Sequence, residues 1–177
     1  MICQHVSGMV NKMNGIYRSK YKSPVGVLTL GSDGENITGL WIEGQKYFGS
    51  TLCENASETP LTVFELAAKW LDIYFAGTEP DFMPPLKPFG SNFRRGVWQL
   101  LREIPYGSLT TYGQLAADLE ARTGRRTCAR AVGSAVGKNP ISIFIPCHRV
   151  VGTDGSLTGY AGGVERKRLL LQLEGIK

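Results

Sequence analysis

The stretch Pro146-Cys147-His148-Arg149 sets a cysteine directly beside one of only two histidines in 177 residues. A proline ahead of the pair fixes the backbone, and a nucleophile needs such rigid placement. A free thiol titrates near ~8.5, so only a few per cent is thiolate at neutral pH unless a base or a positive field raises that fraction. Arg149 and the basic residues around it are the expected source of the field. The apolar run ISIFI at 141–145 reads as a buried strand, and neighbouring side chains on an extended segment face opposite ways. His148 would then reach the Cys147 sulfur only through a bridging water or a turn. On chemistry alone two readings stand: Cys147 is a nucleophile, or it is a buried inert thiol next to a satisfied histidine.

The other reactive side chains carry less. Cys128 falls at the start of a helical segment, where the helix dipole would lower its pKa, but a small packing residue is the simpler reading. Cys53 lies in what reads as a polar loop. Cys3 and His5 are metal-ligand types, yet no second closely spaced pair completes a tetrahedral site, so no metal is expected. Neither G-x-x-x-x-G-K-[ST] nor G-x-G-x-x-G occurs, and no nucleotide cofactor is expected. The glycine-rich GTDGSLTGYAGG reads instead as a hairpin and a loop beside a ligand.

These residues need elements to position them. Apolar and polar residues alternate from Gly15 to Ile42, broken by Ser23-Pro24 and Ser32-Asp33-Gly34, which predicts a small antiparallel sheet. Residues 61–76 place Phe64, Ala67, Ala68 and Leu71 at helical spacing, with Trp70 and Tyr74 beside them as core aromatics and Gly77 as the stop. Four prolines in residues 80–90 exclude helix and central strand and read as a linker. Ser91 then caps a helix to Ile104 whose apolar stripe is Phe93, Val97, Trp98, Leu100, Leu101 and Ile104. Thr110 or Thr111 caps a second helix over Tyr112–Ala121, and a third spans about Thr127 to Gly137. A closing helix, Val164 to Glu174, turns Leu169, Leu170 and Leu173 inward. Two short helices joined by a Gly-containing turn fit a helix-turn-helix, and equally an αα-hairpin in a bundle. Small residues Ala129, Ala131, Gly133 and Ala135 on the third helix fit close approach to a surface or tight helix packing.

The fold class read from this pattern is α+β followed by α: a small N-terminal antiparallel sheet with a helix, then a helical C-terminal domain containing a helix-turn-helix. Its boundaries are 1–86 and 87–177. Hydrophobic residues make up 42% of the chain and charged residues 20%, which excludes disordered and fibrous classes. No uncharged apolar run approaches the ~18 residues of a membrane span, and no signal-peptide pattern opens the chain, so a soluble, cytoplasmic protein with free thiols is expected. Charge is uneven: residues 1–86 have six Lys and Arg against nine Asp and Glu, whereas residues 87–177 have fourteen against six. A basic half fits a polyanionic partner or an Arg-rich solvated face.

At Asn139-Pro140 and Ile145-Pro146-Cys147-His148-Arg149-Val150 the chain resembles the O6-alkylguanine-DNA alkyltransferases, also called methylated-DNA–protein-cysteine methyltransferases. The likeness runs from about Phe93 through VWQLLREIPYGSLTTYGQLA, ARAVGSAVGKNP, IPCHRVVG and TGYAGG to LLLQLEG, about half the chain. The resemblance implies that Cys147 accepts the alkyl group, that His148 is the general base acting through a water, and that Glu174 orients His148. It makes Asn139 a hinge against the active-site segment and Arg130 the finger that fills the space of an extruded base. Tyr112 would press on the target phosphate and face the guanine, Val150 and Ala161 would offer backbone groups to the base, and Tyr160 would line the pocket. The implied partner is double-stranded DNA with alkylated bases, bound through the minor groove by a monomer that needs no cofactor or metal.

Two departures bear on substrate. The segment LEARTGRRTC is longer than in some members and is expected to bring Arg122, Arg125 and Arg126 near DNA. Ala161 stands where some members have serine, which predicts tolerance of other lesions such as O4-alkylthymine. Three classes compete: a single-use DNA alkyltransferase, a non-catalytic damage binder and a cysteine hydrolase. The presence of Cys147 argues against the second, and an arginine-bearing helix of small residues against the third.

Overall fold

The computed structural model describes residues 15–176. Cys3 and His5, weighed above as metal ligands, lie outside them. Strands β1 (Gly15–Ser23), β2 (Gly26–Ser32), β3 (Ile37–Ile42) and β4 (Leu52–Ser57) form one sheet in the order β3-β2-β1-β4. β1 to β3 are antiparallel neighbours, as the alternation predicts. β4 differs: it pairs with β1 in parallel, whereas the sequence around Cys53 reads as a polar loop. An edge strand that fully buries only Ala56 writes no apolar alternation into the sequence. Cys53 therefore sits half-buried on a strand.

The free edge of β3 is closed by other parts of the chain. Ile37 N donates to Pro85 O at 2.8 Å and Leu40 N to Pro140 O at 2.9 Å. Proline carbonyls accept without an N–H of their own, so these two segments cover the edge without extending the sheet. The proline-rich linker is thus docked on the sheet at Leu86. The segment leading to Cys147 is anchored there too, through Ser142 N to Leu40 O at 3.0 Å.

Helix α1 (Thr62–Phe75) buries Phe64, Ala67, Trp70, Leu71 and Tyr74 on one face, and Gly77, at φ 80°, follows its last turn. α2 (Asn92–Arg102) is capped by Ser91, which accepts from Arg94 N. Its stripe holds except at Phe93, which is 40% exposed and lines an open cleft with Leu119 and Thr123, because no element covers the first turn. A two-residue strand β5 (Thr110–Thr111) precedes α3 (Tyr112–Thr123), whose N-cap Thr111 accepts from Gln114 N at 3.1 Å. α4 (Ala129–Gly137) starts after Cys128, two residues later than the spacing predicted. Trp98 Nε1 donates to Ala135 O at 2.9 Å and locks α4 onto α2.

ISIFI is not a strand. Ile141 and Ser142 make isolated bridges, then the chain turns with Ile143 at φ 71°, and Ile145 N returns to Ile141 O at 3.0 Å. A buried turn needs the same apolar, β-branched residues as a buried strand, so the composition could not separate them. A 3-10 turn (Cys147–Arg149) leads into strand β6 (Val150–Val151), which pairs in parallel with β5. The expected hairpin after it is a turn closed by Gly152 N to Ser156 O at 2.9 Å, then open loop. α5 (Val164–Leu173) buries Leu170 and Leu171. Leu169 points outward, 49% exposed, because the inward stripe runs through Lys167, Leu170, Leu171 and Glu174. No helix among the described residues is long and apolar enough to cross a membrane.

Candidate active site

Cys147 is buried at the start of the 3-10 turn, not at a strand end. Asn139, just past the C-cap of α4, holds the surrounding backbone. Its Nδ2 donates to Ile145 O at 2.8 Å and lies 3.2 Å from Cys147 Sγ, while Oδ1 accepts from Ile141 N at 3.0 Å. One amide side chain thus spans the turn and touches the sulfur. Burial pushes the Cys147 thiol up, while the Asn139 bond and the Lys167 charge pull it down. The positive field comes from Lys167; Arg149, the expected source, is committed elsewhere.

Arg149 donates through Nε to Glu174 Oε2 at 2.8 Å, through Nη2 to Glu174 Oε1 at 3.1 Å, and through Nη1 to Ile104 O at 2.7 Å. The same carboxylate meets His148 Nε2 at 2.7 Å, the Tyr74 hydroxyl at 2.7 Å and Gly107 N at 3.2 Å. His148 and Glu174 side chains are fully buried. Despite desolvation, the bonds from His148 and Arg149 hold Glu174 down at about 2, so it is a carboxylate. Desolvation lowers His148 against the pull of Glu174, which favours the neutral ring. With Nε2 on Glu174, Nδ1 is left with no hydrogen-bond partner among the described residues. The ring therefore offers a lone pair on the side away from the carboxylate.

The remaining candidates gather around this centre. β5–β6 pairing sets Thr110 beside Val150, which brings Tyr112 to the site. Tyr112 Oη donates to Thr158 O at 2.8 Å, and burial together with Cys147 pushes its phenol up to about 12. Tyr160 is buried, raised by burial and by Cys147, and its hydroxyl has no partner among the described residues. The Val150 carbonyl accepts from Lys167 Nζ, which also donates to Thr158 O at 3.0 Å. Desolvation brings Lys167 down to about 8. The Ala161 carbonyl accepts from Lys46 N at 3.1 Å, so the loop before α5 is tied to the N-terminal half.

Arg125, Arg126, Cys128 and Arg130 are exposed around the start of α4. The exposed Cys128 is not the packing residue the sequence favoured. Arg122, expected with these arginines, is bonded to Glu103 at 2.7 Å and braces α3 against the end of α2. Sequence reasoning missed Tyr74 and Lys167. Tyr74 gave no signal beyond a core aromatic. Lys167 did: with Glu174 it occupies the inward stripe 167, 170, 171, 174, and two charges on a buried helical face need partners.

A sheet-plus-helix half followed by a helical half, with a buried thiol next to a histidine and carboxylate pair, has the arrangement of a cysteine-dependent enzyme. Residues 16–88 match the family model described as 6-O-methylguanine DNA methyltransferase, ribonuclease-like domain, and residues 92–176 match its DNA binding domain. The chain belongs to the 6-O-methylguanine DNA methyltransferase family. It is 47% identical over 165 residues to the methylated-DNA–protein-cysteine methyltransferase of Haemophilus influenzae, covering 93% of this chain and 89% of that one. The namesake protein of Methanosarcina acetivorans is 39% identical, covering 90% and 99%. Among solved structures, Mycobacterium tuberculosis OGT in complex with DNA aligns with a TM-score of 0.78 at 40% identity, over 89% of this chain and 92% of that chain. The protein is a transferase of DNA repair that moves an alkyl group from methylated DNA to a cysteine of its own chain.

Proposed function

We propose that Cys147 is that acceptor and that each molecule acts once. His148 Nδ1 takes the thiol proton through a water. The thiolate attacks the alkyl carbon of O6-alkylguanine, the carbon–O6 bond breaks as the carbon–sulfur bond forms, and its electron pair returns to guanine, which takes a proton at N1. The thioether has no ready leaving group, so the thiol is not regenerated. Glu174 holds His148, and Asn139 is the hinge between α4 and the active-site turn. The observation that carries this reading is the buried line Glu174–His148 with Nδ1 unpartnered among the described residues, beside a sulfur fixed by Asn139.

For DNA, residues 87–177 form the binding and acceptor domain and 1–86 the scaffold. α3 and α4 act as a helix-turn-helix, with α4 in the minor groove, where its small residues permit close approach. O6 of a stacked guanine is out of reach of a buried thiol, so the base is flipped at a cost of a few kcal/mol. Arg130, exposed on α4, fills the gap; Tyr112 faces the target, with Tyr160, Val150 and Ala161 around it. Ala161 in place of serine favours acceptance of O4-alkylthymine as well. The protein acts as a monomer in the cytoplasm without metal or cofactor. The test is to mix protein with a duplex carrying one O6-methylguanine and measure intact mass and stoichiometry. One methyl per chain, mapped to Cys147, is expected; repeated turnover or unchanged mass overturns the proposal.

A further inference from the structure

The buried cluster around Glu174 includes a side chain from the other half of the molecule. Tyr74, on α1, lies 74 positions before His148 and 100 before Glu174 in sequence. Its hydroxyl proton goes to Glu174 Oε1 at 2.7 Å, the oxygen that also meets His148 Nε2 at 2.7 Å. Tyr74 Oη stands 3.3 Å from Nε2. Resting on the roles given above to Cys147 and His148, we infer that Tyr74 is a positioning residue that sets the tautomer and proton affinity of His148 from the N-terminal half of the chain.

Two consequences follow from one hydroxyl. With its proton on the carboxylate, Oη turns a lone pair toward Nε2. That nitrogen then faces two acceptors, which keeps the ring proton on Nε2 and the lone pair on Nδ1, where the reaction needs it. Burial and the Glu174 charge push the Tyr74 phenol far up, so its proton stays on. Donation to Oε1 also draws negative charge from the oxygen that would otherwise bind imidazolium more tightly. Loss of this donation raises the proton affinity of His148, whereas loss of the Oη lone pair lowers it. The charge-assisted bond at 2.7 Å outweighs the neutral contact at 3.3 Å, so the net effect of removing the hydroxyl is a rise.

Other groups facing the cluster act around this pair. Arg149 binds both carboxylate oxygens, and Lys167 on α5 opposes a charge on His148. Tyr106, between α2 and β5, packs edge-on to Tyr74 and donates to Leu173 O at 3.2 Å, and the buried Tyr160 feels Cys147 and also acts on Tyr74. Among the described residues, only the Glu174 and Tyr74 oxygens are within hydrogen-bond distance of Nε2.

The test compares single-turnover transfer from an O6-methylguanine duplex for wild type, Tyr74→Phe and Tyr106→Phe between about pH 5 and 9. Nitrogen-15 histidine spectra follow the ring directly, because the chain has only His5 and His148. In Tyr74→Phe the acidic limb and the His148 titration both move up by about half a pH unit to one unit. On the acidic limb itself transfer falls about three- to tenfold, while the plateau at higher pH stays within about twofold. Tyr106→Phe leaves both in place. Site-specific 3-fluorotyrosine at position 74, a stronger donor of the same shape, moves the limb the other way and serves even where the Phe variant folds poorly. An unmoved limb in folded variants, or an equal rate loss at every pH, overturns the inference. Wild-type protein that leaves Cys147 unalkylated would overturn the site assignment instead, which keeps the two failures distinct.

Discussion

Glu174→Gln removes the charge that five donors converge on. The wild-type carboxylate accepts from Tyr74 Oη, His148 Nε2, Arg149 Nε and Nη2, and Gly107 N, and its side chain is 0% exposed. Its folded value near 2 lies below the ordinary 4.5. A depressed carboxylate stabilises the fold fully above its unfolded value, and that contribution is lost as the pH falls through the folded value. At ~1.4 kcal/mol per pH unit, a displacement from 4.5 to about 2 is worth ~3 kcal/mol at neutral pH. The cost of breaking a buried ion pair from one side, ~3–5 kcal/mol, agrees, since Arg149 is left without its counter-charge. Against a typical stability of ~5–15 kcal/mol the variant stays folded with a reduced margin. Urea unfolding of both proteins at a series of pH values reads the difference. It should be ~3 kcal/mol at neutral pH and should narrow as the pH is lowered from about 4.5 toward 2. Asp33, also held low by Lys87, titrates in both proteins and cancels. A neutral-pH difference under ~1 kcal/mol, or one that persists unchanged in acid, would refute the reasoning.

Two further substitutions probe the DNA side of the site. Gly159 sits at φ 73°, and a Cβ there would lie 2.6 Å from Tyr112 Oη. Gly159→Ala should therefore cost ~1–3 kcal/mol in urea unfolding and slow transfer by displacing Tyr112; a variant that matches wild type in both counts against that placement. Arg130→Ala should slow transfer from a duplex lesion by ~10- to 100-fold, as expected if it offsets a few kcal/mol of flipping, while alkylation by free O6-methylguanine base stays at the wild-type rate. Equal losses on both substrates would remove Arg130 from the flipping step.

Periodicity and caps made much of the fold legible. The β1–β3 sheet, α1, and the caps Ser91 and Thr111 stand where alternation, spacing and side-chain oxygens place them. β4 was hidden because an edge strand has little to bury. ISIFI misled because a buried turn and a buried strand share a composition. Leu169 faces outward and Lys167 inward because α5 is organised by two charges, and apolar counting skips charges.

By itself the sequence determined the N-terminal sheet ahead of a helical region, the adjacency of Cys147 and His148 and the basic second half, since these depend on residue type and local spacing. Only the tertiary structure decided what surrounds that pair. Tyr74 and Glu174 are 100 positions apart and meet in one buried cluster, and Arg149 is spent on Glu174, so the charge facing Cys147 comes from Lys167. In a dry interior each polar atom is governed by its nearest partner, and partners drawn from α1, the 3-10 turn and α5 become neighbours only when both halves are packed.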